Sequence, residues 1–157
     1  MKALLATLTF ASGFLCGCAS TDSVPSALNP TNDVAAIRKF YADNAAALSA
    51  EDISALERFY EGDVIQLPPD SPALKGWEAI RLSLQNEFKG VKLEAALDVI
   101  EVASAESWAF ARGCYRIAVI QGEGGQRTEA VGNWLDILRR QPDGSWKIAR
   151  STWSNKP

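Results

Sequence analysis

The chain has 157 residues, 47% apolar and 22% charged, with a net charge of −3 and no histidine. That length fits one compact domain plus a short extra segment, and the apolar share supplies a core of ordinary size. The acid excess argues against a nucleic-acid partner held by a basic face, and the missing histidine removes Ser-His-Asp and Cys-His catalysis and every His-ligated metal site. Acid–base chemistry then falls to Asp, Glu, Tyr, Lys or a cysteine.

Met1 and Lys2 make a positive start, and residues 3–14 follow without a charge. This is the pattern of a signal-peptide core, too short to span a membrane alone. Leu15-Cys16-Gly17-Cys18 resembles the lipobox of bacterial lipoproteins. The resemblance implies a signal peptide over 1–17, cleavage after Gly17, and lipid on Cys18. An ordinary secretory cut after Ala19, leaving a soluble periplasmic protein, is the alternative. A zinc role fails on ligand count, and a redox pair would lose Cys16 at cleavage. No metal or cofactor is expected. Residues 18–31, rich in Ser, Thr, Pro and Asn, read as a flexible tether to a domain at 32–157. Several acyl chains would hold Cys18 in the membrane without a spanning helix. Ala19 after the cysteine resembles lipoproteins of the periplasmic side of the outer membrane, if the host is Gram-negative.

Thr31 or Asn32 can cap a first helix running to Ser49, with Val34, Ile37, Tyr41, Ala45 and Leu48 on one stripe. Ser49 to Asp52 has the form of a capping box before a short second helix, with Ile53, Leu56, Phe59 and Tyr60 inward and Gly62 as its end. A brief strand over 64–67 stops at Pro68-Pro69, residues 70–74 read as loop, and 77–88 reads as a third helix. Strands follow over 92–102, 108–120, 128–140 and 146–154, with a glycine-rich hairpin at 122–126 and a tight Pro142-Asp143-Gly144 turn. Helices segregated from an antiparallel sheet give an α+β class.

The strings "FYEGDVIQLPPDSPALKGWEAIR" at 59–81 and "LDILRRQPDGSWKIARSTW" at 135–153 resemble the nuclear transport factor 2-like superfamily, in its SnoaL-like and DUF4440 branch, whose cousins include the ketosteroid isomerases. The resemblance covers about 33–157. It implies a cone-shaped, strongly curved antiparallel sheet enclosed by three N-terminal helices, a cystatin-like fold with a pocket at its open end. It also exposes departures. Aligned on the isomerases, the general-base position in the first strand reads Pro68, which takes no proton. Their first-helix oxyanion tyrosine falls near Asn44, one turn after Tyr41, and a late-strand acid falls near Asp136. Steroid isomerisation by that mechanism is therefore not expected.

Asp136 is the one catalytic candidate. Strand parity sets Trp134, Asp136 and Leu138 on one face, and an inward face would raise its pKa by desolvation. The competing arrangement turns Leu135 and Ile137 inward and Asp136 to solvent. Tyr41, Asn44, Tyr60, Arg112, Tyr115, Trp134 and Trp153 are the pocket candidates, with Arg112 and Arg116 as partners of Asp136 or of a ligand carboxylate, against the favoured alternative that at least one of the two arginines is an exposed cross-strand partner. Trp77 and Trp146 read as core, and Cys114 as a small buried hydrophobe. The favoured function is an envelope-anchored module that binds a small apolar ligand or forms a homodimer through the sheet. The alternative is an isomerase, cyclase or dehydratase using Asp136 with a tyrosine donor, and a third is a subunit docking another envelope protein.

Overall fold

The computed structural model describes residues 31–122 and 125–156. The signal peptide over 1–17, the lipidation of Cys18 and the tether lie outside the described residues, except that Thr31 already belongs to the first helix. The elements in chain order are α1 (Thr31–Ser49), α2 (Ile53–Glu57), β1 (Tyr60–Leu67), β2 (Leu74–Lys75), α3 (Trp77–Glu87), β3 (Val91–Ala105), β4 (Trp108–Gln121), β5 (Arg127–Arg140) and β6 (Trp146–Asn155).

α1 buries Ile37, Tyr41, Asn44 and Ala47, spaced at helical repeats, so one face meets the sheet while Arg38 and Lys39 stay outside. It lies along β3. Arg38 donates from Nη1 to the Val99 carbonyl at 2.7 Å, and Ser49 Oγ accepts from the Ala95 N–H at 2.9 Å. The capping box is not formed. Asp52 is itself the cap of α2, accepting from the Ala55 N–H at 2.9 Å, while Ser49 Oγ turns back to the Ala45 carbonyl.

The six strands are ordered β2-β1-β6-β5-β4-β3. All pairs are antiparallel except β1 with β6, which is parallel. That pair explains why β1 starts at Tyr60 rather than at 64. Its partner comes from the end of the chain, pairing Tyr60 with Ile148, and the Phe59 carbonyl accepts from the Ile148 N–H at 2.8 Å. Tyr60 thus sits on a strand and not on the second helix. The segment expected as loop at 70–74 ends in β2, a short edge strand paired with Ile65 and Gln66. Register shifts interrupt β1–β6, β3–β4 and β5–β6, and such bulges bend a sheet and re-aim its side chains.

The core has two lobes. One joins Ile37 and Tyr41 to Ala109, Ala111, Tyr115, Trp134, Leu138 and Trp146 on the inner sheet face. The other joins α2 and α3 to β1 through Leu56, Phe59, Val64, Trp77 and Ile80. Phe40 bridges them edge-on, with ring centroids 5.1 Å from Tyr41 and 5.0 Å from Phe59. The start of α1 is tied to the end of β5 by an Asp33–Arg140 ion pair, and the Arg140 guanidinium lies 4.4 Å from the Trp146 ring centroid. Two lobes and a helix-covered inner sheet face leave a space between them, and the candidate site lies there.

Candidate functional site

A cavity of about 560 Å³ lies between the inner face of the sheet and helices α1 and α3. Its walls include Tyr41, Asn44, Tyr60, Tyr115, Trp134, Asp136 and Trp153, seven of the eight candidates named from the sequence. The eighth, Arg112, is elsewhere. On β4 the odd residues Ala109, Ala111, Gly113 and Tyr115 face inward, so Arg112 points out, where its Nε meets Glu101 Oε2 at 2.5 Å. Arg116 is exposed as well, so neither arginine reaches Asp136. Cys114 shares the outer face and is half-buried rather than buried, with Sγ 3.5 Å from Asn133 Oδ1. Trp77 and Trp146 are core residues.

Asp136 faces the cavity. It is 5% exposed, while its strand neighbours Leu135 and Ile137 are 41% and 39% exposed on the other face. The arrangement with Leu135 and Ile137 inward is therefore excluded. Tyr41 donates from its hydroxyl to Asp136 Oδ2 at 2.9 Å. Burial raises the Asp136 pKa to about 6, against a smaller lowering by Ser151 and Tyr41. Ser151 lies opposite on β6 and is close enough to favour the carboxylate, yet no well-directed hydrogen bond closes on Oδ1, which has no partner among the described residues. A strong hydrogen bond needs alignment as well as proximity.

The tyrosines stay neutral. Burial, then the charge of Asp136, pushes the Tyr41 hydroxyl well above its usual range, and the same causes raise Tyr60. Tyr41 packs on Trp134 with centroids 4.3 Å apart, and Tyr60 stacks on Trp77 at 5.5 Å. Tyr115 donates to Asn155 Oδ1 at 2.6 Å, and the Trp134 indole N–H donates to the Cys114 carbonyl at 3.0 Å. The aromatic walls are thus fixed by their own contacts, with no need of a ligand to order them.

Sequence reasoning missed Gln66, Ser151 and Asn155, which also line the cavity. Period-two parity on β6 carried the signal for Ser151 and Asn155, since both flank the named Trp153 at two-residue steps. Gln66 lay in the strand read over 64–67, which was too short for parity to assign its inner face. Pro68 also lines the cavity. Among the described residues no group of three His, Cys, Asp or Glu side chains is placed to hold a metal, and no helix is long and apolar enough to cross a membrane.

A family model described as SnoaL-like domain matches residues 29–152. The chain belongs to the SnoaL-like domain family. Among solved structures, this SnoaL-like chain is similar to a conserved protein from Planctomyces limnophilus, at 25% identity and a TM-score of 0.75, over 81% of this chain and 100% of that one. It is similar to a ketosteroid isomerase-like protein from Erwinia carotovora atroseptica, at 26% identity and a TM-score of 0.71, over 82% and 100%. A candidate dehydratase of the NTF2-like family from Streptomyces avermitilis shares the fold, at 19% identity and a TM-score of 0.73, over 82% and 99%. A search of curated proteins finds no match to the SnoaL-like chain.

Proposed function

We propose that this SnoaL-like domain binds a small, mostly apolar molecule in its cavity and moves a proton on it, in an isomerase-, cyclase- or dehydratase-type reaction. Asp136 is the general base and Tyr41 holds it. One observation carries the reading: a buried carboxyl with a pKa of about 6 keeps one oxygen hydrogen-bonded to Tyr41 and the other unpartnered beside an apolar cavity. Such a group is ionised enough near neutral pH to accept a proton and basic enough to hold it. The carboxylate takes a proton from an acidic C–H, becomes the neutral acid, and returns the proton to another atom of the same molecule. The likeness to a ketosteroid isomerase-like protein and to a candidate dehydratase is consistent with this class. Pro68 at the isomerase base position argues against steroid isomerisation.

The test uses 2-tetralone, a flat neutral ketone with acidic α-protons that fits a cavity of this size. In deuterated buffer the protein should speed exchange of those protons, and Asp136→Asn should remove the acceleration. Binding without acceleration favours the second reading, a ligand-binding module, for which the proline at the base position speaks. Exchange that persists in Asp136→Asn sinks the role given to Asp136.

We also propose that residues 1–17 are a lipoprotein signal peptide and that Cys18 anchors the domain in the cell envelope. A homodimer through the outer sheet face is supported by the exposed apolar side chains Ile100, Trp108, Leu135 and Ile137.

A further inference from the structure

The cavity carries one sign of charge. Two carboxylates line it, Asp136 and Glu87, and no Lys or Arg does. Several acids elsewhere on the sheet have arginine partners: Glu94 and Glu129 share Arg127, Glu101 meets Arg112, and Glu61 meets Arg139. Neither cavity acid is in an ion pair among the described residues. The two lie at different depths. Asp136 is 5% exposed, whereas Glu87, the last residue of α3, is open to solvent. The cavity therefore runs from Glu87 at its rim to Asp136 at its floor.

Each acid keeps one oxygen for a partner. Tyr41 holds Asp136 Oδ2, and Oδ1 is buried without a partner among the described residues. Ser83, one helical turn before Glu87, donates from Oγ to Glu87 Oε1 at 2.6 Å, and nothing among the described residues engages Oε2. Lys89 gives its ammonium to Asn86 Oδ1 at 2.9 Å rather than to Glu87. Glu87 also stands at the unfavourable end of its helix. The free carbonyls of a helix C-terminus favour a cation and disfavour an acid, yet the last turn of α3 holds this acid and no basic residue. A local rule broken with no gain to the fold points to a function.

The walls around these acids are aromatic, with Tyr41, Tyr60, Tyr115, Trp134 and Trp153. Ring faces are electron-rich and attract a cation that has left water. Burial first, then the charge of Asp136 and lastly that of Glu87 raise the Tyr60 hydroxyl, so both carboxylates act on this one ring. An anion entering this space would meet like charge and no counter-charge, and a neutral ligand would leave both acids uncompensated.

We propose that the cavity takes an apolar molecule carrying one positive charge, an amine or a quaternary ammonium, with the cationic group at Glu87 and the apolar body among the rings toward Asp136. This deepens the reading given above and rests on the same cavity being a ligand site. It gives the ligand a direction. The charged end stays at the rim, where it loses least hydration, and the carbon that gives up its proton lies at the floor beside Asp136 Oδ1.

Ligand-detected NMR titration of the full chain at about pH 7.5, above the Asp136 pKa of about 6, measures binding alone. The probes share one ring system: 2-aminotetralin, an ammonium at this pH, 2-tetralol, its neutral analogue, and tetralin-2-carboxylate, the anion. The amine should bind about tenfold more tightly than the alcohol, the scale of one ion pair together with one cation–ring contact. The carboxylate should bind more weakly than the alcohol. Glu87→Gln, a conservative change at an exposed position, should narrow the amine preference to within about threefold and leave the alcohol's affinity unchanged. In the unaltered protein, raising salt from about 0.02 M to about 0.5 M should narrow the same preference, because the Glu87 charge is exposed to screening.

Four results overturn the assignment: the amine binding no more tightly than the alcohol, the carboxylate binding as tightly as the amine, the amine preference surviving both Glu87→Gln and high salt, or no binding by any of the probes. A preference lost in Asp136→Asn and kept in Glu87→Gln would put the cation at the floor and overturn the direction given to the ligand. The two readings fail separately. An amine preference that needs Glu87, with no proton exchange from 2-tetralone, defeats proton transfer and keeps the cation site. Exchange that needs Asp136, with no amine preference, defeats the cation site and keeps proton transfer.

Discussion

Tyr41 on α1 and Asp136 on β5 are 95 positions apart in the chain, yet the tyrosine hydroxyl lies 2.9 Å from Asp136 Oδ2. The contact links the helix layer to the inner sheet face at the cavity wall. It leaves the second carboxylate oxygen free, which is the condition for a base that must be both oriented and reactive.

The first prediction concerns stability against pH. Asp136 has its pKa raised from 3.8 to about 6 by burial, so the folded state binds the proton more tightly than the unfolded chain does. The stability associated with the protonated form is fully present below about pH 4 and is lost as pH rises through about 6. The penalty at higher pH is roughly 3 kcal/mol by linkage. Asp136→Asn should therefore raise the melting temperature at pH 8 and change it little at pH 4. A rise of equal size at both pH values would show that the carboxylate charge is not the cause.

A second variant separates orientation from structure. The Tyr41 hydrogen bond lowers the Asp136 pKa, so Tyr41→Phe should move the midpoint of the proton-exchange pH profile upward. It should also destabilise the fold by about 1 kcal/mol, as expected for one lost hydrogen bond. An unmoved midpoint with lower stability would leave Tyr41 a structural role only.

Gly113 controls the cavity wall from within β4. A Cβ there would fall 2.7 Å from Trp134 Cζ2 and collide with the Asp98 carbonyl on β3. Gly113→Ala should cost about 2 kcal/mol or more, since both neighbours belong to packed elements that cannot easily give way. Urea unfolding measures this, and a neutral result would mean that the β3–β4 pairing relaxes freely.

For the N-terminus, Cys18→Ser should shift the protein from the membrane fraction to the soluble fraction of its host. Unchanged membrane fractionation would remove the lipid anchor.

Much of the site was legible because β-strand parity is a local rule. Trp134, Asp136 and Leu138 share a face by spacing alone, and Tyr41 and Asn44 share a helical face for the same reason. Parity does not say which face is inner. For β4 the even residues include Trp108, Phe110 and Arg112, the bulky and charged members. The inner face instead carries Ala109, Ala111 and Gly113. Small residues are inside there because the rings of Tyr41 and Trp134 already fill the space above them. The misassigned Arg112 follows from that packing, which no local pattern reports.

The sequence by itself determined the order of the helices and long strands, the α+β class, the absence of histidine chemistry and the choice of Asp136 as the acid to examine. Each of these depends on residue type or on periodicity within a few positions. The tertiary structure decided what depends on distant segments meeting. It placed β1 parallel to β6, turned Asp136 inward, excluded Arg112 from the cavity, and left Asp136 Oδ1 and Asn44 Nδ2 without partners. A raised carboxyl pKa is a property of desolvation, and desolvation exists only once helix and sheet have closed over the side chain.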